Sequence, residues 1–379
     1  MKSGKPSFHI LTFGCQMNKS DSEILSGSLL SAGYVSIDDP HLSNILIFNT
    51  CAVRGNAENR AFARMREFNS LRKKKNRDQL IVVSGCVPQY EKDELLKKYP
   101  FIDIIVGANS YEYLLEILSE WNKKKGAVIK LIDDKDPEKP IKHIERDKNF
   151  DQAFLPIMYG CNNFCSYCIV PFTRGREVSR TKEDIFLSIE ELLTSSYKKL
   201  LLLGQNVNSY GQGLYEDYDF ADLLQDILLK FDWLEKVDFL TSHPKDITDK
   251  LIEVIAKNNK IGREIHFPIQ HGDERILKLM NRGYTVQQYK EKVRKLREKV
   301  PGVRISTDLI VGFPGETEEE FTNMVNIVKE LGFFRVISAV YSPRKGTKAA
   351  EMSEQVDIKI KKRRLSELNQ AVKDYAFKG

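Results

Sequence analysis

Residues 160–168 read GCNNFCSYC and place three cysteines in a C-x3-C-x2-C pattern. Zinc in proteins usually takes four ligands, often from Cys-x-x-Cys pairs, and no fourth Cys or His lies near Cys161, Cys165 and Cys168. Three thiolates in one short loop are instead typical of an iron–sulfur cluster that keeps one iron free for another ligand. The loop therefore predicts a cluster site, and we expect Tyr167 to cover the cluster with its aromatic ring.

The other three cysteines, Cys15, Cys51 and Cys86, are 36 and 35 residues apart. Each directly follows an apolar run of strand length, and these runs lie at 8–13, 45–48 and 80–84. Strands at such intervals with helices between them are typical of a parallel sheet, whose strands end at one ligand-binding edge. We therefore expect the three thiols to converge there; the alternative is three unrelated buried cysteines.

The fold class predicted by these patterns is α/β: an open parallel sheet of the Rossmann or flavodoxin-like kind, followed by a partial (β/α)6 barrel. In the first domain, further strands are predicted at 102–106 and 127–132, and helices at 20–34, 54–75 and 110–121. The first helix opens with the capping box Ser20-x-x-Glu23. The chemistry of a barrel lies at the carboxyl ends of its strands. Its strands are predicted at 154–159, 199–203, 237–240, 264–269, 303–311 and 335–341.

Helical patterns separate the barrel strands, and the last of them opens with the capping box Thr317-x-x-Glu320. These helices are predicted at 182–197, 219–231, 247–258, 286–300 and 318–331. A charged segment with two prolines is predicted to link the two domains. The resulting boundaries are 1–132 for the first domain, 133–148 for the linker, 149–350 for the barrel and 351–379 for a basic C-terminal helix.

The composition excludes a disordered chain, because 41% of the residues are hydrophobic. No apolar run has the length of a membrane helix, and no signal peptide is visible, so we expect a cytoplasmic protein. The net charge is +6. Three basic clusters are either solvated helix faces or part of a nucleic-acid surface; they lie at 72–75 with Arg77, at 123–125, and at Lys359 with 361–364.

The whole chain resembles the radical S-adenosylmethionine methylthiotransferases. The matching stretches run from about residue 8 to about residue 350 and include the aromatic residue before the last cysteine of the C-x3-C-x2-C loop. They are GCQMN at 14–18, NTCAVR at 49–54, GC at 85–86, GCNNFCSYCIVPFTRGRE at 160–177, LLGQNVNSYG at 202–211, TSHP at 241–244, TDLIVGFPGET at 307–317 and YSPRKGT at 341–347.

This resemblance implies two 4Fe-4S clusters and S-adenosylmethionine as cofactors. Cys161, Cys165 and Cys168 would hold the cluster whose open iron binds the methionine part of S-adenosylmethionine. Cys15, Cys51 and Cys86 would hold an auxiliary cluster that carries or supplies sulfur, which a second S-adenosylmethionine methylates. No catalytic residue is implied beyond these ligands, and we assign no role to the histidines His243 and His266.

The resemblance also implies contacts with S-adenosylmethionine on the barrel rim. Gly204, Gln205 and Asn206 lie where this superfamily contacts the methionine amino group. Ile310 and Gly312 resemble the adenine contact of the fifth strand, although Glu316 is one position away from the usual spacing.

The details of the motifs resemble the branch that methylthiolates carbon 2 of N6-isopentenyladenosine beside the anticodon of tRNA. The expected partners are therefore tRNA and an electron donor such as flavodoxin or ferredoxin, with no membrane and a monomeric chain. Three alternatives stay open: a threonylcarbamoyladenosine tRNA as substrate, an aspartate of a ribosomal protein as substrate, and an inactive iron–sulfur protein that binds RNA.

Two features depart from the family pattern. The family usually ends in a small RNA-binding β-barrel, the TRAM domain, and we expect this domain to be absent, so that either the sequence is a fragment or the remaining basic surface holds tRNA. The segment QHGD at 270–273 stands where the family more often has serines around the glycine.

Overall fold

The computed structural model describes residues 5–53, 55–75, 77–124, 126–133, 144–146, 150–194 and 197–375. They fall into two compact units. The first comprises the described residues of 1–162 and 169–180, and the second those of 163–168 and 181–375. Most of the predicted linker, at 134–143 and 147–148, lies outside the described residues, as does residue 149.

The first unit contains a six-stranded parallel sheet with the order β2-β1-β3-β4-β5-β6. Its strands are β1 (Ser7–Thr12), β2 (Val35–Ser36), β3 (Ile45–Thr50), β4 (Leu80–Gly85), β5 (Ile104–Gly107) and β6 (Val128–Lys130). Along β3, Ile45 and Ile47 pack into the apolar core on one side of the sheet, whereas Leu46 and Phe48 pack into the core on the other. Burial on both faces explains why β3 reads as a continuous apolar run.

Helices cover this sheet, and the longest two are α1 and α2. The helices of the sheet domain are α1 (Gln16–Ser31), α2 (Gly55–Lys74), α3 (Cys86–Glu91), α4 (Glu94–Lys98) and α5 (Leu114–Lys124), the last preceded by a 3-10 turn at Tyr111–Tyr113. The same unit also holds short elements that follow in the chain: β7 (Ala153–Pro156), β8 (Met158–Tyr159), α6 (Val170–Thr173) and β9 (Val178–Ser179), with β8 and β9 antiparallel.

The predicted start of α1 is wrong. The helix begins at Gln16, not at Ser20, with Cys15 as its N-cap, and the side-chain oxygen of Asn18 accepts the backbone N–H of Cys15 at 3.3 Å. Ser20 and Glu23 are instead buried within the helix. The first cysteine therefore lies at the start of a helix and not in a free loop.

The second unit is built from parallel strands and helices that alternate along the chain. Strands β10 (Lys199–Leu203) and β11 (Lys236–Phe239) are paired, and β12 (Glu264–His266), β13 (Arg304–Val311) and β14 (Arg335–Val340) form a second parallel group. The helices are α7 (Lys182–Glu190), α8 (Phe220–Lys230), α9 (Asp249–Lys257), α10 (Glu274–Leu279), α11 (Val286–Lys299), α12 (Glu318–Leu331), α13 (Lys348–Glu351) and α14 (Ile358–Tyr375). Short 3-10 turns follow α7 and β10 and precede α9.

The predicted fold class is confirmed, with differences in detail. The capping box before α12 is present, since Thr317 and Glu320 exchange hydrogen bonds between side chain and backbone. The strand predicted at 154–159 is split into β7 and β8, and the strand predicted at 264–269 ends at His266. The six-residue helices α3 and α10 were not predicted, because two turns are too short to show a helical period.

The basic run at the start of α14 is not wholly a solvated face. Lys361 and Arg364 are 5% and 3% exposed, because residues three apart lie on the same side of a helix and α14 packs against α12 and β14. The neighbouring Arg363 is outside and pairs with Glu318 and Glu367. Among the residues that the structure describes, no helix combines the length and hydrophobicity that a membrane span requires.

Candidate cluster sites and the barrel rim

Three of the predicted site residues meet at one edge of the parallel sheet. Cys15, Cys51 and Cys86 follow β1, β3 and β4, which are neighbours in the sheet. The thiols of Cys15 and Cys51 are hydrogen-bonded, and Cys86 is near enough for its charge to act on Cys51 and for the charge of Cys15 to act on it. The predicted convergence is confirmed for the thiols of these three strands.

The ends of neighbouring strands approach each other closely at this edge, and this approach depends on glycine. Gly85 has a φ of +99°, and a Cβ atom added there would lie 2.3 Å from the backbone oxygen of Thr50. A Cβ atom added to Gly14 would lie 2.7 Å from that of Cys51. The two Gly-Cys pairs therefore need glycine because a neighbouring strand end occupies the space of a side chain.

Two buried asparagines join the loops of Cys15 and Cys51. The Nδ2 group of Asn18 donates to Asn49 Oδ1 at 3.1 Å and to the Thr50 backbone oxygen at 3.2 Å. In return, the Nδ2 group of Asn49 donates to the Asn18 backbone oxygen at 2.8 Å. Both side chains are fully buried. The asparagines of the CQMN and NTC stretches thus hold two of the three cysteine loops together through bonds that involve no sulfur.

The electrostatics of this triad favour one thiolate and oppose a second. The hydrogen bond from Cys51 lowers the pKa of Cys15, against the effect of burial. The pKa of Cys51 is raised because it donates that hydrogen bond and is buried. Burial also raises the pKa of Cys86. The first proton therefore leaves readily and the next ones leave with difficulty, unless a cation binds among the sulfurs.

A buried arginine next to this triad was missed by the sequence reasoning. The Nε–H of Arg174 donates to Cys86 Sγ at 3.2 Å, and its Nη2 group donates to Asp21 Oδ2 at 2.5 Å. Tyr111 donates its hydroxyl to the same carboxylate oxygen at 3.2 Å. Arg174 Nη1 and Asp21 Oδ1 have no hydrogen-bond partner in the described part of the chain. The signal was present in the sequence, because Arg174 lies in the TRG segment of the family motif.

The C-x3-C-x2-C loop begins at a glycine whose backbone lies in the left-handed region, where other residues would be strained. Gly160 has a φ of +71°, and a Cβ atom added there would lie 1.9 Å from the backbone oxygen of Arg176. The next residue, Cys161, is buried and donates its backbone N–H to the oxygen of Gly175 at 3.2 Å. Glycine at position 160 therefore fixes how the chain enters the loop.

The rest of this loop is anchored on the turn that follows α10. Ser166 donates its backbone N–H to Met280 at 3.0 Å and its hydroxyl to the oxygen of Leu279 at 2.7 Å. Asn281 donates its amide to the backbone oxygens of Asn163 and Phe164. A turn closes between the second and third cysteines, with the N–H of Cys168 donating to Cys165 at 2.9 Å. Helix α10, which was not predicted from the sequence, and the turn after it therefore position the second half of the loop.

A second buried arginine contacts this loop. The Nη1 group of Arg282 lies 3.2 Å from Cys165 Sγ and 3.3 Å from the hydroxyl of Tyr167. Its Nε–H donates to the hydroxyl of Tyr284 at 3.0 Å. Burial raises the pKa of both tyrosines, so they are neutral near pH 7. The ring of Tyr167 packs with the apolar cluster around Phe313, and its covering of a bound cluster stays a prediction.

Of the predicted methionine contacts, Asn206 is tied to the neighbouring rim loop. Its Nδ2 group donates to Ser209 at 3.0 Å and to Asp246 at 2.7 Å, and its Oδ1 accepts the N–H of His243 at 3.0 Å. Both amide protons are therefore used inside the protein. Gln205 Oε1, by contrast, is buried with no partner in the described residues and suits a ligand that donates a hydrogen bond, as an ammonium does.

At the end of β13, Glu316 supports the backbone of Gly312, one of the two residues predicted to contact adenine. Both carboxylate oxygens of Glu316 accept the N–H of Gly312 at 3.0 Å, and its Oε2 lies 3.1 Å from His271 Nε2. The Nη1 group of Arg364 donates to Glu316 Oε1 at 2.6 Å. Ile310 lies nearby and donates its N–H to the oxygen of Gln270 at 2.9 Å. The unusual QHGD segment therefore supports this part of the rim.

Several buried polar atoms on the rim lack partners within the described residues, as expected of a site for a polar cofactor. They belong to Gln205, Asn208, Ser242, His243 and Asp308. S-adenosylmethionine carries an ammonium, a carboxylate and two hydroxyls, so these donors and acceptors fit its chemistry. No three His, Cys, Asp or Glu side chains of the described residues are grouped as the ligands of a single metal ion would be. The assignment of both cysteine triads to clusters stays a proposal based on their thiol chemistry.

Family models match both parts of the chain. The uncharacterised protein family UPF0004 matches residues 7–107, and the radical SAM superfamily matches residues 155–328. The chain is 44% identical over 373 residues to a tRNA-2-methylthio-N(6)-dimethylallyladenosine synthase of Clostridium botulinum, covering 98% of this chain and 82% of that one. It is 45% identical over 375 residues to a protein of the same name from Clostridium perfringens, with 97% and 82% covered.

Solved structures show the same fold at low sequence identity. The radical S-adenosylmethionine methyltransferase TsrM from Kitasatospora setae has a TM-score of 0.64 at 14% identity, covering 92% of this chain and 77% of that one. The cobalamin-dependent S-adenosylmethionine radical enzyme OxsB has a TM-score of 0.57 at 12% identity, covering 98% and 56%. These similarities support the fold alone.

Proposed function

The chain belongs to the radical S-adenosylmethionine methylthiotransferases, as its motifs predicted, and we propose that it adds a methylthio group to carbon 2 of N6-isopentenyladenosine beside the anticodon of tRNA. The observation that carries this proposal is the identity of 44–45% across nearly the whole chain to enzymes named for that product. The described structure adds two cysteine triads, each with a buried arginine donating to a cysteine sulfur.

The chemistry of the substrate explains why one triad would serve a radical cofactor. Carbon 2 of an adenine ring carries a hydrogen with no useful acidity, so a general base cannot remove it. A 4Fe-4S cluster held by Cys161, Cys165 and Cys168, together with S-adenosylmethionine, would supply the radical chemistry that breaks this bond. The protein's part is to bind and orient the cofactor: Gln205 offers an acceptor to its ammonium, and Glu316 fixes the backbone at Gly312.

The other triad would provide the sulfur. Cys15, Cys51 and Cys86 would hold a second 4Fe-4S cluster, whose chemistry in this reaction is to carry or deliver sulfur. Three protein thiols leave one iron open for that purpose. The asparagine pair Asn18 and Asn49 and the buried pair of Arg174 with Asp21 keep the thiols at fixed positions, which a transfer between two reacting centres requires.

The proposed partners follow from this reaction. We propose tRNA as the substrate, flavodoxin or ferredoxin as the electron donor, a monomeric chain, and a cytoplasmic location because the substrate is a tRNA. The exposed cations of α2 and α14, such as Lys362, are available to the phosphate backbone.

The test is the nucleoside content of tRNA. Cells that lack the gene should contain N6-isopentenyladenosine but no 2-methylthio derivative, and the gene should restore the derivative. Two variants separate the steps: with Cys161, Cys165 and Cys168 changed to alanine, neither 5′-deoxyadenosine nor product should form from S-adenosylmethionine and dithionite.

With Cys15, Cys51 and Cys86 changed to alanine, 5′-deoxyadenosine should still form without product. Normal amounts of the 2-methylthio nucleoside in the deletion strain would refute the proposed substrate. A change in the mass of a ribosomal protein in that strain would identify the aspartate-modifying alternative instead.

A further inference from the structure

The two buried arginines that contact the cysteine triads differ in how their charge is balanced. Arg174 and Arg282 each place an N–H group 3.2 Å from a cysteine sulfur, and they are 3% and 4% exposed. Arg174 lies 2.5 Å from a carboxylate oxygen of Asp21. Arg282 forms no ion pair with a carboxylate among the described residues. A third buried arginine, Arg364, also forms an ion pair with a carboxylate, that of Glu316.

The partners of Arg282 are neutral apart from the cysteine. They are the hydroxyls of Tyr284 and Tyr167, the backbone oxygen of Pro268 at 2.9 Å, and the sulfur of Cys165. A guanidinium cannot lose its proton in a protein, so its charge must be balanced by an anion or remain at a large cost. The sulfur of Cys165 is the partner through which a bound iron–sulfur cluster would bring negative charge to this guanidinium.

These contacts also fix the plane of the guanidinium group. Its four hydrogen-bond contacts involve all three nitrogens, Nε, Nη1 and Nη2, and Tyr284 itself donates its hydroxyl to the backbone oxygen of Ile269 at 2.7 Å. The side chain therefore cannot rotate its charge away from the cysteine. A fixed cation next to a ligand sulfur stabilises whichever state of the centre is more negative.

We propose that Arg282 is a positioning residue for the radical cluster: it donates a hydrogen bond to Cys165 and its unpaired charge stabilises the reduced cluster, which carries one more negative charge than the oxidised one. This inference rests on the proposed function, because it requires that Cys161, Cys165 and Cys168 hold a cluster. The pair of Arg174 and Asp21 carries no net charge, so the pair has a weaker effect of this kind on the other centre.

The test measures a reduction potential and not activity. In the full chain with Cys15, Cys51 and Cys86 changed to alanine, one cluster remains, and its reduced form is followed by electron paramagnetic resonance during a redox titration. Arg282→Gln should lower the reduction equilibrium constant at least tenfold, a fall of about 59 mV for one electron. Arg282→Lys keeps the charge and should recover more than half of that fall.

The matched control is the double variant Arg174→Gln with Asp21→Asn, in the chain whose Cys161, Cys165 and Cys168 are changed to alanine, because it removes the hydrogen bond to Cys86 together with two opposite charges and so leaves the net charge unchanged. The potential of the remaining cluster should fall by less than half as much as with Arg282→Gln. An equal fall would mean that the hydrogen bond matters and the unpaired charge does not, which overturns the inference.

Iron content separates the two ways of failing. If the parent with one triad binds no iron, the proposed function fails. If it binds iron and Arg282→Gln leaves the potential unchanged, only the inference about Arg282 fails. If Arg282→Gln takes up no iron, the potential of the cluster in Arg282→Lys decides. A potential near that of the parent supports the inference. A potential about 59 mV lower or more, which is a tenfold fall in the reduction equilibrium constant, overturns it.

Discussion

The Nε atom of Arg174 lies 3.2 Å from the Sγ atom of Cys86, so a residue six positions after the last cysteine of the C-x3-C-x2-C loop serves the other cysteine triad. The same guanidinium is paired with Asp21, which is 1% exposed. Neither the distance in sequence from Arg174 to Cys86 nor that to Asp21 suggests this contact. It arises because the segment 169–180 packs within the sheet unit.

Removing Arg174 should leave the carboxylate of Asp21 buried and unpaired. We expect Arg174→Gln to lower the free energy of unfolding of the metal-free protein by about 3–5 kcal/mol, the usual cost of breaking a buried ion pair from one side. Unfolding of the wild type and the variant by denaturant would measure this loss of free energy. The control is Arg64→Gln, whose pair with Glu67 is exposed and should contribute about 1 kcal/mol or less. Equal losses in the two variants would contradict the prediction.

Gly85→Ala tests the approach of the strand ends. The new Cβ atom would meet the backbone oxygen of Thr50 at 2.3 Å, so the turn that carries Cys86 must move. We expect reconstituted iron to fall from about eight atoms per chain to about four, the content of a single 4Fe-4S cluster. Gly33→Ala is the matched control, because its φ of +85° is similar but nothing lies within 4 Å.

Gly33→Ala should cost about 1–2 kcal/mol of backbone strain and leave the iron content unchanged. If both variants keep the full iron content, the strand ends tolerate a side chain and the packing argument is wrong.

Arg364→Met tests the support of the barrel rim by α14. Glu316 would remain buried without its cation, so we expect a loss of about 3–5 kcal/mol in unfolding free energy. Because Glu316 also accepts the N–H of Gly312, binding of S-adenosylmethionine, measured by calorimetry, should weaken as well. Arg363→Met is the control one residue away: its pairs with Glu318 and Glu367 are exposed and should contribute about 1 kcal/mol or less. Unchanged stability in Arg364→Met would refute this role of the helix.

His243 should make the metal-free protein sensitive to acid. Burial, helped by the charge of Arg282, lowers its pKa from 6.5 to about 2 in the folded chain. The unfolded chain then binds a proton that the folded chain does not, so stability is complete above pH 6.5 and falls as the pH drops below it.

Between pH 7 and pH 5 this histidine should account for a loss of about 2 kcal/mol. Urea unfolding of the metal-free protein at the two values checks it, with His243→Gln as the comparison. The variant should lose about 2 kcal/mol less than the wild type over the same interval. Identical losses would mean that His243 is not held neutral by the fold.

The sequence predicted the convergence of Cys15, Cys51 and Cys86 because each of them follows the end of a strand in the same sheet. Residues that support them were harder to predict. Arg174 and Arg282 are distant in sequence from the sulfurs that they contact, and only packing brings them there. The start of α1 was misplaced because Cys15 is an unusual N-cap, whose N–H is satisfied by Asn18. Lys361 and Arg364 looked like solvated cations, but their spacing of three places both on the buried side of α14.

The hydrogen bonds between Asn18 and Asn49 hold two of the three cysteine loops together by protein contacts alone. Many small metal sites collapse when the metal leaves, because metal binding supplies their folding energy. Here the hydrogen bonds between two of the loops involve no cysteine sulfur. A centre that delivers its own sulfur, as proposed for Cys15, Cys51 and Cys86, must be rebuilt after each reaction, and hydrogen bonds between the cysteine loops favour rebuilding it on a folded chain.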